Sequence, residues 1–315
     1  MKIIKRIFPA VLSVLLLSSI FVPPEDNSGR NIITVQNVTN RNPASDSPDP
    51  AFSPEQIMQA YQSIFTHRIK EIRKKNGDWA ALIGDSWYYY ADARFLPEDE
   101  LENRDKYSPY PFYSYSRGTP ELIILTDKQK QELKERVEQN DKNPPQRHPG
   151  FFNALWNVYD KQTSWEQVKT IRLFKREIEV HWEILEEVAA VDIFLYRESK
   201  YNSELASYIN SIESVSSYNY RKISGTDSLS MHAYGLAIDI KIKNPGNKAI
   251  YWRWSRPNFE NWFDIKMENR LNPPQIVIDA FEEQGFIWGG KWLFFDTIHF
   301  EYRPEILLLN EMAGS

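Results

Sequence analysis

The 315-residue chain contains no cysteine. That absence excludes a disulfide frame, a thiol nucleophile and a lipid-modified N-terminal cysteine. Packing alone must therefore stabilise the fold. An excess of one charge is missing too, because 38 Lys and Arg against 43 Asp and Glu leave a net charge of only -5. Basic residues are scattered among acids except in the short run Lys70, Arg73, Lys74, Lys75. Without a basic face there is no electrostatic footprint for a nucleic acid, and that class of partner is set aside. Internal repeats of fixed period are absent, and histidine is scarce, with five residues at positions 67, 148, 181, 232 and 299. Aromatic side chains are plentiful, with 10 Trp, 17 Tyr and 17 Phe, which implies dense packing or a groove walled by rings.

The N-terminus places Lys2, Lys5 and Arg6 before an apolar stretch from Ile7 to Val22, closed by Pro23-Pro24-Glu25-Asp26. This is the layout of an export segment, and it carries Pro9 and is short for a comfortable membrane span. Residues 1–22 are read as a cleaved signal peptide or an uncleaved anchor that tethers the chain to a membrane. Either makes the protein exported, to the periplasm or the exterior. Residues 23–52 are rich in Pro, Asn, Asp and Ser and cannot bury enough apolar surface to fold, so they read as a disordered linker.

Order begins at Ser53-Pro54-Glu55-Gln56, which combines an N-cap, a first-turn proline and a capping-box partner ahead of Ile57, Ala60, Tyr61 and Ile64 at helical spacing. Trp79 to Phe95 fits two short strands around Gly84-Asp85, and residues 126–139 fit a helix. The run from Asn143 to Gly150 is proline-rich and marks a boundary, so residues 53–150 form an N-terminal region, mixed α/β, to which no role attaches. Beyond it, Ser164 is placed to cap a long helix with Val168, Ile171, Ile178, Trp182, Leu185 and Val188 on one side, followed by a second helix to about Ile212. Leu236, Ile238, Ile240 and Ile242 alternate with Asp239 and Lys241, which predicts a half-buried strand presenting Asp239 away from the core. A helix started by Asn272-Pro-Pro-Gln275, running through Glu283 and ended by Gly285, and strands at Phe286–Trp288 and Ile298–Tyr302 around Gly289-Gly290, complete the pattern. The expected fold class is α+β, a small antiparallel sheet with flanking helices over residues 160–312, plus the N-terminal extension.

Two of the histidines lie beside carboxylates, in Ser230-Met-His232-Ala-Tyr-Gly235-Leu-Ala-Ile-Asp239 and in Asp296-Thr-Ile-His299-Phe-Glu301. His232, Asp239 and His299 are ligands of the kind that catalytic zinc takes, and three of them leave the fourth tetrahedral position open for a water made nucleophilic near neutral pH. The pattern points to a single Zn2+ and to hydrolysis. His67, His148 and His181 have no such neighbours and are expected to be structural. Ser230 lacks the strand-to-helix turn of a serine nucleophile, so bracing the loop or binding substrate is what its position allows. Glu301 shares a strand face with His299 and suits a ligand orienter or a rival base.

These elements, with Arg221 upstream, Gly285-Phe-Ile-Trp-Gly-Gly-Lys-Trp292 between them and Arg303-Pro-Glu305 after them, resemble the VanY-type D-alanyl-D-alanine carboxypeptidase and L-alanyl-D-glutamate endopeptidase family of zinc peptidases over about residues 165–310. The resemblance implies that His232, Asp239 and His299 hold zinc, that Asp296 is the general base and that Arg221 contacts the substrate carbonyl or its developing charge. Some members have Glu where this chain has Asp296. Ser230 and Trp292 are the candidate substrate contacts, and Trp252, Trp254 and Trp288 are further candidates for a groove wall or for core packing. The implied function is an exported zinc metallopeptidase cleaving bonds next to D-amino acids in the stem peptides of peptidoglycan. Carboxypeptidase and endopeptidase both remain open, the Arg221-to-Asp239 stretch leaning toward the second, and the segment from Asn244 to Pro274 is a candidate for closing the groove. Two alternatives stand beside this one: a non-catalytic zinc-containing module that binds cell-wall peptides, and a scaffold whose functional part is residues 53–150. The pattern fixes no oligomeric state.

Overall fold

Ser53 caps the first helix, α1 (Pro54–Ile64), through a capping box in which the Gln56 N–H donates to Ser53 Oγ at 3.2 Å and the Ser53 N–H donates to Gln56 Oε1 at 2.8 Å. The computed structural model describes residues 52–110, 112–118, 125–223, 226 and 228–314. The expected export segment, residues 1–22, lies outside the described residues, and so does the expected linker apart from Phe52, which is buried in the core. No helix among the described residues is long and apolar enough to cross a membrane.

After α1 the chain forms a four-stranded antiparallel meander, β1 (Ile69–Lys75), β2 (Asp78–Ile83), β3 (Ser86–Ala91) and β4 (Arg94–Pro97), in that order. Short links at Asn76-Gly77 and Asp92-Ala93 carry positive φ at both residues, the backbone that matches the twist of a tight hairpin. The composition of Trp79 to Phe95 announces β2 and β3 only. The basic run is the outer strand β1, where charged side chains suit an edge.

The chain continues through α2 (Asp127–Lys142), α3 (Gly150–Trp156), α4 (Lys161–Gln167), a hairpin of β5 (Val168–Leu173) and β6 (Arg176–His181), α5 (Leu185–Glu198), α6 (Ser203–Ser211), β7 (Ile212–Ser216) and β8 (Ala237–Ile242). It ends with α7 (Trp252–Ser255), α8 (Gln275–Glu283), β9 (Phe286–Trp288), β10 (His299–Tyr302) and α9 (Pro304–Gly314). The long helix expected from Ser164 is corrected here. Residues 168–181 are a hairpin, turned by Phe174 and Lys175 at φ 52° and 65°, and only Leu185 and Val188 of the expected stripe lie on a helix, α5. Asp192 Oδ1 accepts the Phe174 N–H at 2.7 Å and holds the strained turn.

The sheet that carries the site has the order β7-β8-β10-β9 and is antiparallel throughout. Ile238, Ile240 and Phe300 point into the core, where Phe300 stacks on Phe281 of α8 at 4.1 Å between ring centroids. Alternation sends Asp239 and His299 to the opposite face, and the register sets these two directly across from each other. Residues on both sides of the Asn143–Gly150 run share one core: Tyr61, Phe95 and Phe151 pack together with Leu236, Ile306 and Leu309 in the same cluster. A second cluster joins Leu133 and Val137 of α2 to Trp252, Trp262, Phe263 and Phe295. The Asn244-to-Pro274 segment is thereby covered by α2, with rim pairs Lys130–Asp264 at 2.9 Å and Lys134–Glu260 at 2.7 Å.

Candidate metal centre

His232 comes from a short 3-10 turn, Met231–Tyr234, whose start is fixed by the Ser230 hydroxyl accepting the His232 N–H at 3.3 Å. The turn closes on Gly235, at φ 69°, where a Cβ would come within 2.7 Å of the His181 backbone nitrogen. Only glycine fits there, and the chain drops straight from His232 into β8 and Asp239. His299 opens β10, immediately after the loop that holds Asp296.

The donor atoms of His232, Asp239 and His299 lie within 4.8 Å of one another. Buried His232 gives its Nδ1–H to the Ser217 carbonyl at 2.6 Å, which fixes the tautomer and leaves Nε2 as an acceptor. That Nε2 is 3.3 Å from Asp239 Oδ1 and makes no hydrogen bond. His299 places Nδ1 2.9 Å from the same Asp239 oxygen and Nε2 3.2 Å from Glu301 Oε2. Asp296 Oδ1 is likewise buried and without a partner. Buried polar atoms are normally satisfied, so an unpaired imidazole nitrogen and an unpaired carboxylate oxygen beside a His–Asp–His cluster fit a cation. The donor set could hold a metal ion.

Electrostatics divide the carboxylates. Burial raises Asp239, but the two imidazoles more than offset it and hold the group below the usual carboxylate range. Asp296 is pushed up to about 6 by burial, with Asp239 adding to the shift and His299 opposing it. Burial would lower His299, yet hydrogen bonds to Asp239 and Glu301 push it up to about 10. Glu301 is held low despite its burial, by His299 and by Arg303. Asp296 is thus shifted toward neutrality, whereas Glu301 is engaged by His299 and Arg303.

The other expected residues fall at different distances from this corner. Trp292 packs its ring 5.5 Å from the His299 ring, and its Nε1 is buried without a partner. Ser230 is buried and tied into the loop, its N–H donating to the Arg221 carbonyl at 3.0 Å, a position that fits a brace. The Arg221 side chain is exposed, and its Nη1 donates to the Lys222 carbonyl at 3.4 Å. Trp288 and Trp252 are core residues, whereas Trp254 is exposed. His67 pairs with Glu183 at 2.7 Å, His148 Nδ1 accepts the Gly150 N–H at 3.1 Å, and buried His181 bonds at both ring nitrogens, so none of the three joins the centre. Sequence reasoning misses the Ser217 carbonyl, which no side-chain pattern can reveal, and Tyr251, whose backbone bridges to Asp296.

Comparison with known proteins bears on this same stretch. Residues 224–302 match a family model described as D-alanyl-D-alanine carboxypeptidase. The match holds the three donor residues and Asp296, and it supports a family of zinc peptidases without singling out a VanY-type member. Residues 2–112 match a model of a domain of unknown function. No curated protein and no solved structure matches the chain.

Proposed function

We propose that the chain is an exported zinc metallopeptidase that hydrolyses peptide bonds beside D-amino acids in peptidoglycan stem peptides. The observation that carries this reading is the pair of unsatisfied buried atoms, His232 Nε2 and Asp296 Oδ1, beside Asp239 and His299 in a segment matched by a carboxypeptidase family model. When bound, zinc supplies a Lewis acid and makes water a nucleophile near neutral pH. Asp296 takes the proton of the attacking water and returns it to the leaving amine, a task suited to a carboxylate pushed up to about 6. His232 and His299 keep fixed orientations through Ser217 and Glu301. Trp292 walls the pocket next to His299, and Arg221 moves in from solvent to share charge on the carbonyl oxygen. Ser230 acts on substrate through the loop it braces.

Mass spectrometry of purified muropeptides incubated with the zinc-loaded protein tests the proposal. Release of a terminal D-alanine identifies a carboxypeptidase, and cleavage within the stem identifies an endopeptidase. Muropeptides of unchanged mass after incubation with fully loaded protein would sink the hydrolase reading in favour of a binding module.

A further inference from the structure

We infer that the N-terminal region is a working part of the metal centre, because a buried chain of side chains from Tyr61 through Glu305, Arg303 and Glu301 fixes the ring of His299. The inference rests on His299 being a metal ligand. Along β10 the alternation that turns Phe300 into the core puts His299 and Glu301 on the other face, Arg303 follows directly after the strand, and Glu305 lies in the first turn of α9. Glu301 uses both oxygens: Oε2 meets His299 Nε2 at 3.2 Å, and Oε1 accepts from Arg303 Nη1 at 3.0 Å. Arg303 Nε donates to Glu305 Oε1, the same oxygen that accepts the Tyr61 hydroxyl at 3.2 Å. Arg303, Glu305 and Tyr61 are 5 %, 2 % and 1 % exposed. The Arg303 guanidinium lies 5.3 Å from the Tyr110 ring.

A buried network of this kind is a poor way to gain stability, since apolar residues of similar shape often do as well or better. Its location explains it. A metal-bound imidazole needs a partner on its other nitrogen, and that partner must itself be held. Glu301 cannot swing away from His299 without breaking its bond to Arg303, and Arg303 is fixed by Glu305. The last anchor, the Tyr61 hydroxyl, and the Tyr110 ring beside Arg303 both come from residues 53–150. Both positions fall within the stretch matched by a domain of unknown function. Tyr61, Arg303 and Glu305 are positioning residues, acting on the metal through His299.

The test compares zinc affinity, by chelator competition, and the visible spectrum of the cobalt-substituted protein across variants of the full chain. Tyr61→Phe keeps the ring and removes the hydroxyl, and Glu305→Gln keeps the shape and removes the charge. Zinc affinity is expected to fall about 10-fold in Tyr61→Phe and up to about 100-fold in Glu305→Gln, the range for outer partners of a ligating histidine. The cobalt spectrum should shift in both. Tyr89→Phe, which loses a hydroxyl bonded to Glu98 at 2.8 Å on β3, controls for simple loss of a tyrosine hydrogen bond and should leave both readouts unchanged. Wild-type affinity and spectrum in folded Tyr61→Phe would overturn the inference, and that variant decides alone if Glu305→Gln does not fold. A wild-type protein that takes up neither zinc nor cobalt removes the metal reading itself, a result distinct from the first.

Discussion

His181 and His232 occupy two buried corners of the same fold, and each has one ring nitrogen on a backbone carbonyl, Trp156 at 3.1 Å and Ser217 at 2.6 Å. They part at the second nitrogen. His181 Nδ1 accepts the Glu183 N–H at 3.2 Å, so its valences are filled within the chain. His232 Nε2 faces a carboxylate oxygen and has no hydrogen bond. Burial is common to both, so burial does not mark a ligand. An acceptor left over beside another acceptor does, because only a cation or a proton makes that arrangement stable.

The largest effect expected from the reactive corner is in Asp296→Asn, which should retain metal and lose about 10²–10⁴ in turnover, as removal of a general base typically does. Metal content and kcat measured on the same sample check it. Loss of zinc along with activity would make Asp296 a ligand or its support. Next, His232→Ala should weaken zinc binding by more than about 100-fold, beyond the range of outer partners, while His181→Gln should leave it unchanged. Equal affinities in His232→Ala and wild type would erase the distinction between the two corners.

His181 carries the next prediction. Burial lowers it from 6.5 to about 4, so between those values the unfolded chain binds a proton that the folded chain refuses. Its contribution to stability is complete above pH 6.5 and is lost as pH falls through about 4. Crossing that window costs on the order of 3 kcal/mol of stability. Denaturant titrations across that window should show the slope in wild type and a flatter one in His181→Gln, and identical slopes would contradict it. Arg221→Ala should have the smallest effect. Its guanidinium is exposed and donates to a neighbouring carbonyl, so a fall in kcat of about tenfold is expected, short of the roughly 10²–10³ of a preorganised donor. An unaltered kcat/KM would leave Arg221 a solvated loop residue.

The reactive corner was legible because its signals are local. Alternation in Leu236–Ile242 decides which face Asp239 takes, and the spacing of Asp296, His299 and Glu301 lies within one loop and strand. The capping box of α1 is equally local and equally visible. The β5–β6 hairpin was not legible, since Val168 and Ile171 sit at helical spacing with no strand alternation between them, and its turn uses Phe174 and Lys175 where glycine or asparagine would have announced it. The β1–β2 hairpin at Asn76-Gly77 was not expected either, because the charges of the preceding run masked its first strand. The proline-rich run from Asn143 to Gly150 ends a helix without ending the core, because the residues that cross it, Phe151 above all, pack back onto Tyr61 at 5.0 Å. No pattern along the chain joins Tyr61 to Glu305, as their partnership exists only once α1 lies beside α9.

The direct pairing of His299 with Asp239 also makes the centre sensitive to a particular error of assembly. A slip of one residue between β8 and β10 would place Phe300 across from Asp239 and turn the ring outward, while Glu301 would be driven toward Phe281 and the core. Parting that carboxylate from His299 and Arg303 and taking that phenylalanine off Phe281 are both unfavourable, so misaligned strands are rejected by the hydrophobic interior. Fidelity of the ligand geometry is thus enforced from the opposite face of the sheet, by residues that never touch the ion.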